Sequence, residues 1–270
     1  MSQSAGGPGP AKVVLTAFAT WTTGGVSVGG APAKEPSPTA RLGPWDAALG
    51  LSKIHPRARR PHPAAKAMVQ LAHAVLEARR ALGQPPDPGS VGLCLGSLAG
   101  CVAADYDFQQ GLLTRGLAFG SPATFVYTLP TATPAEVSIA LGLKGGLVTL
   151  SAGSASGLAA VAAAAAQIAG RRAAACLCGG FEMPGTAGAA GSESMALFLL
   201  ERAGALDAAC SLEASAGFGE PPMPAVLGDP LLALALAASG AGPATARITA
   251  ASPQGPWASV TLHRPAGESQ

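Results

Sequence analysis

Five cysteines and four histidines are the side chains of this 270-residue chain best suited to nucleophilic or metal chemistry. The thiols are Cys94, Cys101, Cys176, Cys178 and Cys210, and the imidazoles are His55, His62, His73 and His263. No histidine lies beside a cysteine in sequence, so the ligand spacing of a metal site is missing, and no metal is expected. Cys176 and Cys178 stand two apart in an apolar stretch. On a strand they share a face, which predicts packed thiols. An odd number of cysteines without a paired framework suits a reducing cytoplasm. Hydroxyls gather instead in Gly153-Ser154-Ala155-Ser156-Gly157. The central residue is Ala155, so the G-x-S-x-G pattern of a hydrolase elbow fails. The string predicts a tight strand-to-helix turn where backbones approach closely. A serine in it needs a positioned base before it can attack anything.

The elements that must hold this turn can be read from apolar patterning. Strands are predicted over 12–19, 91–95, 147–150, 173–178 and 195–200, with a terminal hairpin over 246–250 and 257–263. Helices are predicted over 63–82, 103–113, 134–141, 154–169 and 230–238. Thr133 is the expected cap of the helix from Pro134, and Gly170 the stop after 169. Residues 22–43, rich in Gly, Pro and Ser, read as a loop, and 121–130 as extended. Strands alternating with helices predict an α/β layered fold. One domain over 12–265 is expected, behind a flexible tail at 1–11. Hydrophobic residues make up 49% of the chain and aromatics only 4%. Such a core relies on close packing of Ala and Gly rather than on rings.

Composition excludes several function classes. A net charge of +2 leaves no strong footprint for nucleic acid. The basic run Lys53-Ile54-His55-Pro56-Arg57-Ala58-Arg59-Arg60-Pro61-His62 reads as a solvated loop, with a patch for an acidic partner as the functional alternative. The N-terminus has no basic start followed by an apolar stretch, so a signal peptide is not expected. The longest apolar run, 155–166, is too short for a membrane span. A cytoplasmic protein without membrane attachment or cofactor is the expectation.

Three blocks, in order, carry a family resemblance. The first ends Leu129-Pro130-Thr131-Ala132-Thr133-Pro134-Ala135-Glu136-Val137-Ser138-Ile139-Ala140-Leu141-Gly142-Leu143. The second is Lys144-Gly145-Gly146-Leu147-Val148-Thr149-Leu150-Ser151-Ala152-Gly153-Ser154-Ala155-Ser156-Gly157-Leu158. The third is Ala174-Ala175-Cys176-Leu177-Cys178-Gly179-Gly180-Phe181-Glu182, followed by Ser192-Glu193-Ser194-Met195-Ala196-Leu197-Phe198-Leu199-Leu200-Glu201. Over roughly 12–202 they resemble the N-terminal half of the β-ketoacyl synthases. The resemblance implies a thiolase-like α/β/α layered fold, truncated to about its N-terminal half, with a C-terminal helix and hairpin. It puts Ser154 at the position of the family's nucleophilic cysteine. The family's two histidine motifs, "HGT" and "GH-x-x-G-A", are absent.

What this implies is a non-catalytic chain length factor. Such a subunit pairs with an active ketosynthase as a heterodimer, encloses an acyl tunnel with it, and serves type II polyketide or fatty-acid-like biosynthesis, aryl polyenes included. An acyl carrier protein is a further expected partner. By the same resemblance Phe125, Val126, Tyr127, Leu129 and Thr131 lie near the tunnel and interface. Strand Leu147, Val148, Thr149 and Leu150 pairs with its equivalent in the partner. Two alternatives are an acyltransferase using Ser154 as nucleophile and a homodimeric scaffold without catalysis.

Overall fold

Apolar runs too short for helices alternate with longer amphipathic or alanine-rich segments, and each becomes a strand or a helix accordingly. The computed structural model describes residues 11–22, 25–30, 54, 62–182, 194–206, 210–218, 230–238, 243–252 and 255–264. Their order is β1 (Val13–Thr22), β2 (Gly25–Gly30), α1 (Pro63–Ala81), β3 (Val91–Gly96), α2 (Val102–Arg115), α3 (Pro122–Phe125), α4 (Ala132–Leu141), β4 (Leu147–Leu150), α5 (Ser156–Ala169), β5 (Ala175–Glu182), β6 (Ser194–Arg202), β7 (Cys210–Phe218), α6 (Pro230–Ala238), β8 (Thr245–Ala251) and β9 (Pro256–His263).

The strands form one mixed sheet in the order β4-β3-β5-β6-β1-β7-β9-β8, with β2 alongside β1. β3 is parallel to β4 and β5, and the other pairings are antiparallel. Helices α1 and α4 cover one face, and α5 and α6 the other. Alternation assigns side chains to the two faces: Leu93, Leu95, Leu177, Leu197 and Leu199 point towards α1, and Cys94, Cys176, Cys178, Phe198 and Leu200 towards α5. In β1 the alternation breaks. Val13, Leu15 and Phe18 all face α5, because a bulge between Leu15 and Ala17 inserts Thr16. The Thr16 hydroxyl donates to the Leu199 carbonyl at 3.3 Å, which ties off the bulge.

Only Cys210, Ser211 and Leu212 of β7 pair with β1. Beyond them β7 continues with β9 and β8 across the far side of α5. Leu158 and Val161 of α5 therefore share one core with Cys94 and Cys176 from one side and Val260 and Leu262 from the other. The predicted terminal helix and hairpin thus cover the central helix.

Several elements differ from the sequence reading. Residues 25–30, where the sequence predicts a loop, form β2. Local glycine content disfavours a strand, but pairing with β1 overrides it, and a Cβ on Gly29 would lie 2.8 Å from the Phe18 ring. Residues 121–130 are helical turns rather than extended chain. Ser121 Oγ accepts from the Thr124 amide at 3.3 Å, and Pro122 sits at the first helical position, where a missing N–H costs nothing. β5 continues through Gly179 and Gly180 instead of ending there, and β7 was not foreseen. Helix α4 begins at Ala132, with Thr131 at its N-cap, so Thr133 is not the cap. Residues 1–10 of the tail expected at 1–11 and most of the basic run lie outside the described residues.

The cysteine reading holds. Cys94, Cys176, Cys178 and Cys210 are buried free thiols, and Cys101 is half-buried. Contact with Cys94, 3.6 Å away, and burial push the Cys176 thiol far up, and burial does the same to Cys178, so both stay protonated. Arg79, at the end of α1, pairs with Glu201 of β6 at 2.6 Å, both side chains almost fully buried. That pair locks helix to sheet, and removing one partner alone costs about 3–5 kcal/mol.

Candidate functional site

The site implied by the resemblance is the turn from β4 into α5. Gly153, with φ of 58°, makes the left-handed step that a side chain would strain. Ser156 Oγ closes the turn: it accepts from the Ala152 amide at 2.8 Å and donates to the Gly153 carbonyl at 2.6 Å. Helix α5 begins only at Ser156, two residues later than predicted, so Ser154 stands just outside the helix. Ser154 is exposed, and its hydroxyl donates to the Ala251 carbonyl of β8 at 2.7 Å.

The backbones beneath this turn are pressed together. A Cβ on Gly96 would lie 2.1 Å from the Ser156 carbonyl oxygen. A Cβ on Gly157 would lie 2.6 Å from Leu231 Cδ1, and one on Gly180 would lie 3.0 Å from the same atom. Leu231 of α6 therefore fills the space under the N-terminus of α5.

The positive end of a helix favours a thiolate at such a turn. An alcohol is far less acidic and needs a base, and a backbone carbonyl cannot take its proton. None of the described imidazoles serves. His62 caps α1, its Nδ1 accepting from the Ala64 amide at 3.3 Å, with its ring centroid 5.5 Å from that of Tyr127. Burial lowers its pKa, against a smaller opposing pull from Asp107. His73 lies on α1 near Glu77, and His263 sits beside Thr245 at the far end of β9. His55 lies outside the described residues. Cys101, the most accessible thiol, lies 3.4 Å from the Asp105 carboxylate; burial and that carboxylate push its pKa up, so it is not activated. It opens on a cleft of about 20 Å³ shared with His62, Tyr127 and Thr133, room for about one water. Among the described residues no group of His, Cys, Asp and Glu side chains could hold a metal ion.

The other residues singled out from sequence gather on one flank. Phe125, Val126 and Leu129 are each slightly more than half exposed. Thr131 is exposed, and Tyr127 is half-buried with its hydroxyl donating to Glu136 Oε1 at 3.1 Å. Leu147, Val148, Thr149 and Leu150 form β4, the end strand of the sheet among the described residues, paired only with β3. Sequence reasoning missed how far this flank extends. Val102, Leu113, Leu117, Phe119 and Ile139 are also exposed, and apart from Leu82 and Phe218 all the exposed large apolar side chains of the described residues lie within 98–147. The available signal was a cluster of Leu and Phe between Gly111 and Gly120 without helical or strand periodicity. Among the described residues no helix is long and apolar enough to cross a membrane.

Comparison with known proteins agrees with this geometry. The family model of the β-ketoacyl synthase N-terminal domain matches residues 33–219, more than half of the chain. No curated protein sequence matches. The fold is similar to that in the structure of the ishigamide ketosynthase/chain length factor, with a TM-score of 0.68 at 17% identity, covering 94% of this chain and 99% of that one. It is similar to that in AntDE:AntF, a type II acyl-carrier protein in complex with its ketosynthase bound to the hexaketide, with a TM-score of 0.73 at 16% identity, covering 95% and 100%. It is also similar to that in the complex of the ketosynthase ApeO with its chain length factor ApeC from Xenorhabdus doucetiae, with a TM-score of 0.58 at 15% identity, covering 94% and 99%. With its mixed sheet between helical layers and its strand-to-helix turn at Ser154, the chain belongs to the β-ketoacyl synthase family, whose N-terminal domain it matches over residues 33–219.

Proposed function

We propose that this chain is a non-catalytic chain-length-factor subunit, which pairs with an active β-ketoacyl synthase and shapes the acyl tunnel in type II polyketide or fatty-acid-like biosynthesis. The observation that carries the reading is the state of Ser154. Its one proton is directed at the Ala251 carbonyl, and no described imidazole reaches it. The residue at the nucleophile position thus acts as a latch between the turn and β8.

The flank of 98–147 supplies the partner surface. It combines an end strand, paired among the described residues only with β3, with a series of exposed large apolar side chains, and each is a liability unless covered. Phe125, Val126, Leu129 and Leu147 are its core, with Tyr127, Thr131, Val148, Thr149 and Leu150 beside them. That relatives of this fold include ketosynthase and chain length factor complexes supports a synthase as the occupant. A carrier protein would then deliver acyl groups to the pair. A single domain from 12 to 265 fits the continuous sheet.

The test is co-expression with a full-length synthase that carries the cysteine and both histidines. A stable one-to-one complex is expected, with a product distribution that shifts when Leu129 or Phe125 is changed to Ala. Failure to form any complex, or a product length indifferent to both changes, contradicts the reading. Exposure of Ser154 favours one rival, an acyltransferase, which requires an acyl-Ser154 adduct on the isolated chain. A homodimeric scaffold would cover the same flank with a second copy and leave the synthase unbound.

A further inference from the structure

The buried thiols are not alike. In the parallel pair β3 and β5, Gly92 stands opposite Cys176 and Cys94 opposite Cys178, and all three cysteines face α5. Cys176 Sγ lies 3.6 Å from Cys94 Sγ and donates to it. From α5 the Gln167 amide nitrogen donates to the same sulfur at 3.2 Å. Two donors thus converge on Cys94. The hydrogen bond from Cys176 holds its thiol below the ordinary value, against the opposing effect of burial. Cys101, Cys176, Cys178 and Cys210 are all pushed up. Cys94 is therefore the one sulfur of the five poised towards the thiolate, and a second thiol is in contact with it.

The Gln167 side chain stands between this pair and the surface. It is half-buried. A Cβ on Gly92 would lie 3.3 Å from Cys176 Sγ and 3.5 Å from Gln167 Oε1. A Cβ on the exposed Gly146, just ahead of β4, would lie 3.4 Å from that same oxygen. The amide rests on two glycines, which offer no side chain to hold it or to add to the cover.

We propose that Cys94 and Cys176 are a reversible redox pair, closed to a disulfide by a hydroperoxide and reopened by a small dithiol. A rotamer change at Gln167 admits a molecule little larger than water. The Cys94 sulfur attacks a peroxide oxygen, the O–O bond breaks, and the Cys94 proton leaves with the second oxygen, as water when the oxidant is hydrogen peroxide. The Cys176 sulfur then attacks the sulfenic acid so formed. The S–O bond breaks, and the Cys176 proton leaves with the hydroxyl as a further water. The two thiols lose two electrons and the peroxide gains them. The bridge ties β3 to β5. Among the described residues β3 is the strand that pairs with β4, so the bridge anchors the end of the sheet. Both sulfurs lie outside the flank and the Ser154 turn, so the pair is independent of the function proposed above.

The test uses the full chain, reduced, freed of reductant and treated with hydrogen peroxide, then alkylated under denaturing conditions and mapped by peptide mass. The folded chain is expected to give a single Cys94–Cys176 bridge, with three alkylatable thiols in place of five, and dithiothreitol should restore all of them. The urea-unfolded chain should give a mixture of bridges instead. The bridge joins positions 82 apart, so it should raise the thermal midpoint by about 5 °C or more. That rise should vanish in Cys176→Ala and persist in Cys178→Ala. Mapping the unsubstituted chain decides the matter even where a variant fails to fold. Undiminished alkylation after treatment, a bridge through Cys101, Cys178 or Cys210, added oxygen at Cys94 without a bridge, or an unraised midpoint would each overturn the proposal.

Discussion

The turn at Ser154 and the flank of 98–147 both lie beside β4, yet they are built in opposite ways. At the turn three glycines let backbones meet, Leu231 fills the remaining space, and both serine hydroxyls are engaged by backbone groups. Along the flank large apolar side chains stand in solvent beside an edge strand. In this chain the turn that the resemblance matches to the family's cysteine position is closed by hydrogen bonds, and the flank proposed to meet a partner is left open. Stability should therefore respond to changes at the first region, and association to changes at the second.

The sharpest way to break this contrast is to force volume into the closed region. Gly96→Val should cost more than about 3 kcal/mol or prevent folding, because its Cβ would meet backbone, which cannot step aside. Urea denaturation measures it, and a loss below about 1 kcal/mol would mean that the close packing is not tight. The open region should behave the other way. Phe125→Asp with Leu129→Asp should weaken synthase binding by a factor of about 100 or more, while monomer stability changes by about 0.5 kcal/mol or less. Calorimetric titration and urea denaturation on the same pair of samples separate the two effects.

Against the flank stands His62, which caps α1 and packs on Tyr127. His62→Ala should cost about 1 kcal/mol, and His62→Asn, which also caps, much less. Burial lowers this imidazole below its ordinary value of 6.5, so the folded chain holds the proton more weakly than the unfolded chain does. Its contribution is complete above the ordinary value and is lost as pH falls through the lowered one. Thermal melts from pH 7 down to 5 should show this slope in the native chain and a flatter one in His62→Asn. The smallest effect belongs to Ser154→Ala, about 1 kcal/mol or less for one exposed hydrogen bond, with no change in the product made by the complex.

Much of this architecture was legible in the sequence where local chemistry and packing agree. The runs at 91–95 and 147–150, the alanine-rich helix to Ala169 and the terminal hairpin are all present. So is the shared face of Cys176 and Cys178, which strand periodicity dictates. β2 was hidden because glycines such as Gly29 are selected by the Phe18 ring on the neighbouring strand, not by strand propensity. The bulge at Thr16 and the Arg79–Glu201 pair depend on partners more than 100 residues away. At the site, the blocks around 144–158 located Ser154 through resemblance. The bond that occupies it could not be foreseen, because Ala251 arrives from a strand 97 positions later.

The central claim is that the alcohol at position 154 is never a nucleophile. Intact-mass measurement of the purified chain, incubated alone with acyl thioesters of a carrier protein, tests it most directly. The expected result is an unmodified mass, with condensation appearing only when an active synthase is added. An acyl adduct that forms on the isolated chain and disappears in Ser154→Ala would contradict it.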